Sequence, residues 1–181
     1  MDRESRARNI RLIIFDVDGV LTAGHIFIGS DGELIKQFHA QDGMGITAAH
    51  LGGLKTAIIT GRKSPMVERR SQELKIGDVY QGAANKLEAF RHLLEKYQLQ
   101  PAQVAYVGDD LNDLPVMAAA GLACAPVNAV PEVKEIAHFV AQKEGGSGAV
   151  REIIEYLLKA QGKWAEIVEY YRTGSNGEIR Q

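Results

Sequence analysis

Apolar runs of strand length recur along the chain at Arg11–Phe15, Lys55–Ile59 and Gln103–Val107. Runs without polar alternation are the pattern of strands covered on both faces. Shorter runs at Asp78–Gln81, Gly121–Cys124 and His138–Ala141 extend the series. Between them, apolar residues at helical spacing predict helices over 43–52, 64–74, 84–97, 112–120 and 131–136. Strand and helix thus alternate, which predicts an α/β fold: a doubly wound, mostly parallel, Rossmann-like sheet with helices on both faces.

Two segments break this rhythm. His25–Ile28 and Glu33–Phe38 flank the turn-forming stretch Gly29–Gly32, the signature of a β-hairpin insertion at about residues 24–38. Ile26 and Ile28 point to one face and Phe27 to the other. Such a hairpin either packs on its own domain or serves an oligomer interface. Near the C-terminus, Gly145–Gly148 reads as a hinge before a helix carrying Val150, Ile153, Ile154, Leu157 and Leu158 on one face. Gly162 interrupts that helix, Trp164–Tyr171 gives a further short helical piece, and Thr173–Gly177 reads as a flexible tail. The expected organisation is one domain over 1–163 and a C-terminal extension over 164–181.

Composition narrows the function classes. Lys and Arg total 21 against 23 Asp and Glu in 181 residues, a net charge of −2 that argues against nucleic-acid or anionic-membrane binding. Cys124 is the single cysteine, so an intrachain disulfide and a cysteine-cluster zinc site are both excluded. Residues 1–9 are highly charged and lack the apolar stretch of a signal peptide, and Val116–Val127 is too short to span a bilayer. A cytoplasmic location is expected.

The three strong strands each run into polar residues at their C-terminal ends, the edge where open parallel sheets bind ligands. The first leads into Asp16, Asp18, Gly19 and Thr22, the second into Thr60, Gly61 and Arg62, the third into Gly108, Asp109, Asp110, Asn112 and Asp113. Carboxylates crowded at one edge repel one another, so a cation is expected between them. Oxygen-only ligands at low net charge suit Mg²⁺ with a substrate phosphate. Lys86, at the start of a helix, and the Thr60 hydroxyl beside the amides of Gly61 and Arg62 can hold that phosphate. Asp16 can attack phosphorus, and Asp18 can protonate the leaving oxygen and then activate water.

At these residues the sequence resembles the haloacid dehalogenase superfamily of aspartate-nucleophile phosphatases. Its four motifs stand in order at Asp16–Thr22, Thr60–Arg62, Lys86 and Gly108–Asp113, and the resemblance runs from about residue 10 to 160. It implies Asp16 as nucleophile, Asp18 as acid and base, and Thr60 and Lys86 as phosphoryl-stabilising groups. Mg²⁺ would be held by Asp16, Asp109 and the Asp18 carbonyl, with Asp110 and Asp113 supporting the metal and orienting Lys86. The superfamily normally inserts a cap domain, for which only the hairpin is available here. The pattern is similar to a capless, homotetrameric branch acting on an octulosonate 8-phosphate in lipopolysaccharide precursor synthesis. A nonulosonate (sialic-acid-type) 9-phosphate is the alternative substrate.

For that branch the implied substrate contacts are Asp18, His39, Ala40, Gln41, Asp42, Gly43, Thr47, Arg62, Arg70, Lys86 and Asn112, in part across a subunit boundary. The tail beyond Trp164 runs longer than the branch leads one to expect.

Other readings are weaker. Gly43, Gly45 and Ala48 fit a loose dinucleotide fingerprint, but the preceding segment is half of a hairpin and the next strand ends at Thr60 instead of an acid. A phospho-signalling receiver domain also gathers acids, a threonine and a lysine around Mg²⁺. Its acceptor aspartate lies on the third strand and its paired acids on the first, the reverse of the order here. His25, His50, His92 and His138 show no metal-ligand spacing and read as structural, and Cys124 reads as inert core.

Overall fold

A computed structural model describes residues 2–174. The chain begins with α1 (Arg3–Asn9) and β1 (Leu12–Phe15), followed by the hairpin strands β2 (Phe27–Gly29) and β3 (Gly32–Ile35). Then come α2 (Ala40–Leu51), β4 (Lys55–Thr60), α3 (Pro65–Glu73), β5 (Asp78–Gln81) and α4 (Lys86–Tyr97). The second half holds β6 (Val104–Val107), α5 (Leu114–Ala119), β7 (Leu122–Ala125), α6 (Pro131–Ile136) and β8 (Phe139–Val140), and closes with α7 (Ala149–Ala160) and α8 (Trp164–Thr173).

Six strands form a parallel sheet in the order β5-β4-β1-β6-β7-β8, and β2-β3 stand apart as a two-stranded ribbon. β1 sits at the centre because Leu12–Phe15 is fully buried on both faces. Its alternating side chains feed two cores. Ile13 and Phe15 join Ile46, Val150, Ile153 and Leu157 under α2 and α7. Leu12 and Ile14 join Phe90, Leu93, Tyr106 and Met117 under α4 and α5. The chain leaves β1 toward β4 on one side and returns to β6 on the other, so the order reverses at β1. That switch point opens a crevice at the C-terminal end of β1, where Asp16 begins.

Differences from the sequence reading are local. α1 carries one buried residue, Ala7, and so has no apolar period to detect; Asp2 caps it by accepting from the Ser5 amide at 2.8 Å. α2 begins at Ala40, earlier than its glycines suggest. The helix expected over 112–120 is a 3₁₀ turn, Leu111–Asp113, followed by α5. The hairpin strands are shorter than expected, with a register shift at Phe27/Ile28. A ribbon that joins no larger sheet has little to extend it.

Gly145–Gly148 is not a hinge. The Gly145 amide donates to Asn128 Oδ1 at 2.8 Å and the Gly146 amide to the Val20 carbonyl at 3.0 Å. A Cβ on Gly145 would stand 1.8 Å from the Gly19 carbonyl oxygen, so glycine lets this strap pack directly on the loop after β1. α8 follows the Gly162 break as expected, with Ile167 buried and the Arg151 guanidinium 5.0 Å from the Trp164 ring centre. Of the expected tail, residues 175–177 lie outside the described residues. Among the described residues no helix is long and apolar enough to cross a membrane.

Candidate active site

Asp16 follows the last residue of β1, and its amide continues the ladder by donating to the Val107 carbonyl at 3.0 Å. The side chain turns back so that Oδ1 accepts from the Val17 amide at 2.7 Å, while Oδ2 lies 2.8 Å from Lys86 Nζ. Lys86 opens α4 and is buried, with its ammonium also donating to Asp113 Oδ1 at 2.7 Å. Thr60, buried, ends β4; the register Phe15↔Ile58 sets it level with the loop that follows Asp16. Gly19 has φ +89°, and a Cβ there would fall 1.9 Å from Asp109 Oδ2, so only glycine lets the first and third acidic loops meet.

Asp113 holds the other side of the site. It is fully buried, and four donors converge on it: Lys86 Nζ and Tyr106 Oη (2.6 Å) on Oδ1, and the amides of Asp109 (2.9 Å) and Asp110 (3.3 Å) on Oδ2. A carboxylate offers about four lone-pair positions, so Asp113 is saturated. Tyr106 was not singled out from the sequence. The available signal was a hydroxyl in an otherwise apolar central strand, which needs a buried partner. Asp110 caps the 3₁₀ turn by accepting from the Leu111 amide.

Carboxylate oxygens of Asp16, Asp109 and Asp113 lie within 4.8 Å of one another. Burial and the charge of Asp113 push Asp16 up to about 6, despite Lys86. Burial and the neighbouring Asp16, Asp113 and Asp110 push Asp109 up to about 7. Burial disfavours the charged form of Lys86, but Asp16 and Asp113 outweigh it and raise its pKa. Asp109 Oδ1 is buried without a hydrogen-bond partner. An orphaned oxygen among crowded acids, with free lone pairs remaining on Asp16, fits a divalent cation bound between Asp16 and Asp109.

Both carboxyls titrate higher in the fold than the ordinary aspartate value of 3.8, so the cation-free fold loses stability as pH rises from about 4 through 7. Mg²⁺ therefore raises the melting temperature more at pH 8 than at pH 5. Scanning calorimetry checks this, and equal shifts at both pH values would contradict it.

The remaining candidate residues are spread around this cluster. Asp18 carries Lys36 Nζ at 2.5 Å and Arg62 Nε at 3.8 Å. His39, Asp42, Gly43 and Arg70 line a small cleft between α2 and α3, where the Arg70 guanidinium lies 5.9 Å from the Phe38 ring centre. The Asp42 carboxylate accepts from the amides of Arg151 (2.8 Å) and Gly148 (3.3 Å), capping α7 from a distance. Two of its acceptor positions are thus taken within the fold. Thr47 donates to the Gly43 carbonyl within α2, and Ala40, Gln41 and Asn112 are exposed. Gly43 and Gly45 lie inside α2, not on a phosphate loop.

The histidines make structural contacts: His50 with Thr56, His92 with Tyr80, His138 with the Ala123 amide, and His25 against the Phe27 ring. Cys124 is buried, which pushes its thiol up to about 12.

Residues 70–154 match the model of the haloacid dehalogenase-like hydrolase family. The chain is 50% identical over 165 residues to the 3-deoxy-D-manno-octulosonate 8-phosphate phosphatase of Escherichia coli, covering 91% of this chain and 88% of that protein. The crystal structure of the Yersinia pestis phosphatase of the same name aligns at a TM-score of 0.88 and 47% identity, covering 91% of this chain and 89% of that one. The Moraxella catarrhalis phosphatase, solved with magnesium, phosphate and a KDO molecule, aligns at 0.91 and 38% identity, covering 93% and 97%.

Proposed function

Since the chain belongs to the haloacid dehalogenase-like hydrolases, and among them to the 3-deoxy-D-manno-octulosonate 8-phosphate phosphatases, we infer that it hydrolyses that sugar phosphate to the free sugar acid and phosphate with Mg²⁺ as cofactor. The observation that carries the reading is the buried Asp16–Lys86–Asp113 chain beside the orphaned Asp109 oxygen, at the switch point of the sheet. It also sets aside a receiver domain, because the nucleophile candidate follows the first strand of the sheet.

In this reading an Asp16 carboxylate oxygen attacks phosphorus, and the bond from phosphorus to the sugar oxygen breaks. The Asp18 carboxyl gives its proton to that departing oxygen. The Asp18 carboxylate then takes a proton from water as the water oxygen attacks the aspartyl-phosphate, which restores Asp16 and releases phosphate. Lys86, held by Asp113, and Thr60 stabilise the charge on the transferring phosphoryl group. When bound to Asp16, Asp109 and the Asp18 carbonyl, Mg²⁺ supplies positive charge against the phosphoryl oxygens. Arg62 and Arg70 suit the substrate carboxylate, which a guanidinium can grip with two bonds. Residues 39–43 and Thr47 offer backbone and hydroxyl groups, and Asn112 an exposed amide. A substrate carrying phosphate and carboxylate does not cross a bilayer unaided, which supports a cytoplasmic location.

A panel of sugar phosphates assayed with Mg²⁺ tests the substrate. Turnover of the octulosonate 8-phosphate should exceed that of a nonulosonate 9-phosphate by about tenfold or more, the scale on which a few altered polar contacts discriminate. Preference for the nine-carbon ester would overturn the assignment.

The hairpin supports an oligomer, with a tetramer as the assembly implied by the capless branch. Ile28 is 72% exposed, Leu34 61% and Ile35 57%, a concentration of apolar surface that water does not favour. With Ile26 and Ile28 both changed to Lys, light scattering should report monomers. Turnover of the sugar phosphate should then fall more than hydrolysis of p-nitrophenyl phosphate, whose chemistry needs one chain only. A monomeric unmodified protein with full activity would rule the assembly out.

A further inference from the structure

The hairpin reaches the site from within the same chain. Lys36 lies one residue beyond β3, and its side chain is only 1% exposed. Its ammonium donates to Asp18 Oδ1 at 2.5 Å and stands 2.9 Å from Glu33 Oε1. Arg62 closes the ring, with Nε 3.8 Å from Asp18 Oδ2 and Nη2 4.0 Å from Glu33 Oε1. Two carboxylates and two cations thus cancel in charge beside the phosphate site. Burying a lysine this far is rare and requires partners. Around it the ribbon is exposed, with Ile28, Leu34 and Ile35 outward, while the Glu33 and Lys36 heads turn inward. The group they meet is Asp18.

Asp18 lies two residues from Asp16, near the acidic cluster and its cation site. A carboxyl free to rotate there is drawn toward the cation and lost to the leaving oxygen. We propose that Lys36 is a positioning residue: its ammonium fixes the Asp18 carboxyl on the hairpin side of the phosphate site, facing the departing sugar oxygen. Glu33 holds Lys36 in place through the i,i+3 pair. The hairpin thereby sets the geometry of proton transfer in its own subunit as well as offering an apolar outer face. This rests on the acid and base role inferred for Asp18.

Leaving-group dependence tests it. In Lys36→Met, kcat for the octulosonate 8-phosphate should fall about tenfold to a hundredfold, the scale of a misplacement near 1 Å. Its KM should stay within about twofold, as should the single-turnover rate of p-nitrophenol release, because that leaving group departs without a proton and before Asp18 acts as base. Lys36→Arg, which keeps the charge but moves it, should lower the ratio of sugar release to p-nitrophenol release in a single turnover by a smaller factor. The double variant with Asp18→Asn should lose no more than Asp18→Asn alone, because the lysine acts through that carboxyl.

Equal losses in the single-turnover release of both leaving groups would make Lys36 a strut of the fold and overturn the proposal. A raised KM for the sugar ester at unchanged kcat would make it a substrate contact and overturn it too. Should Lys36→Met not fold, the same ratio in Lys36→Arg decides. If Asp18→Asn itself shows no leaving-group dependence in that single-turnover release, the acid role of Asp18 fails. If Asp18→Asn is selective and the Lys36 variants are not, only the positioning role fails.

Discussion

Asp16→Asn abolishes phosphate release, with a loss of roughly a thousandfold or more in kcat, the scale seen when a nucleophile is removed. The site shows why the change is chemically small and functionally complete. Oδ1 of Asp16 is already turned to the Val17 amide, and an asparagine carbonyl keeps that bond. Oδ2 faces Lys86 at 2.8 Å, and an NH₂ placed there meets a donor instead of providing an acceptor. An amide has no anionic oxygen with which to attack phosphorus. The fold survives, since one of several crowded carboxyls is removed and Lys86 keeps Asp113. Phosphate release, circular dichroism and solution mass measured on one preparation check this, with mass spectrometry excluding deamidation back to aspartate. Activity above about one part in a hundred would remove Asp16 from the nucleophile's role.

The second large effect lies one layer behind the chemistry. Asp113→Ala strips the acceptor from Lys86, Tyr106 and the amides of Asp109 and Asp110 in a fully buried place. Breaking a buried pair on one side costs about 3–5 kcal/mol, here with further donors left unmet. For a chain of this size that is a fall in melting temperature of roughly 10 °C. Turnover should drop as well, because Lys86 loses half of its support and the Asp109 loop its anchor. Tyr106→Phe removes one donor and leaves the acid in place, so it should cost only about 1 kcal/mol. Thermal melts of the two variants together decide the matter. Similar small shifts in both would mean that Asp113 is not the hub of the site.

Much of this was legible along the chain. The apolar runs that became β1, β4 and β6 announced themselves by composition, because a strand covered on both faces needs apolar residues at every position. Their polar C-terminal ends announced the site for the same reason: Asp16, Thr60 and Asp109 stand where the apolar pattern stops. Lys86 was legible as a cation opening a helix. α1 was not, because one buried alanine in seven residues leaves no period to read. The apparent hinge at Gly145–Gly148 misled because glycines that permit motion and glycines that permit close contact look alike in sequence. Here a neighbouring loop fills the space that their side chains would take.

The sequence by itself thus determined the strands, the order in which they carry their acids, and the class of chemistry, since hydrophobic period and residue type are local properties. Only the tertiary structure decided which groups spend those acids. Asp42 reads in the sequence as a substrate contact alone, and the fold adds a second task, since its carboxylate caps α7 across a separation of 106 residues at Gly148. Asp113 is saturated by four donors from α4, β6 and its own loop, while Asp109 keeps a bare oxygen. Lys36 is an ordinary charge on a hairpin until the chain folds it onto Asp18. A carboxylate's role follows from how many of its lone pairs are already taken, and that count is set by distances between residues far apart in the chain.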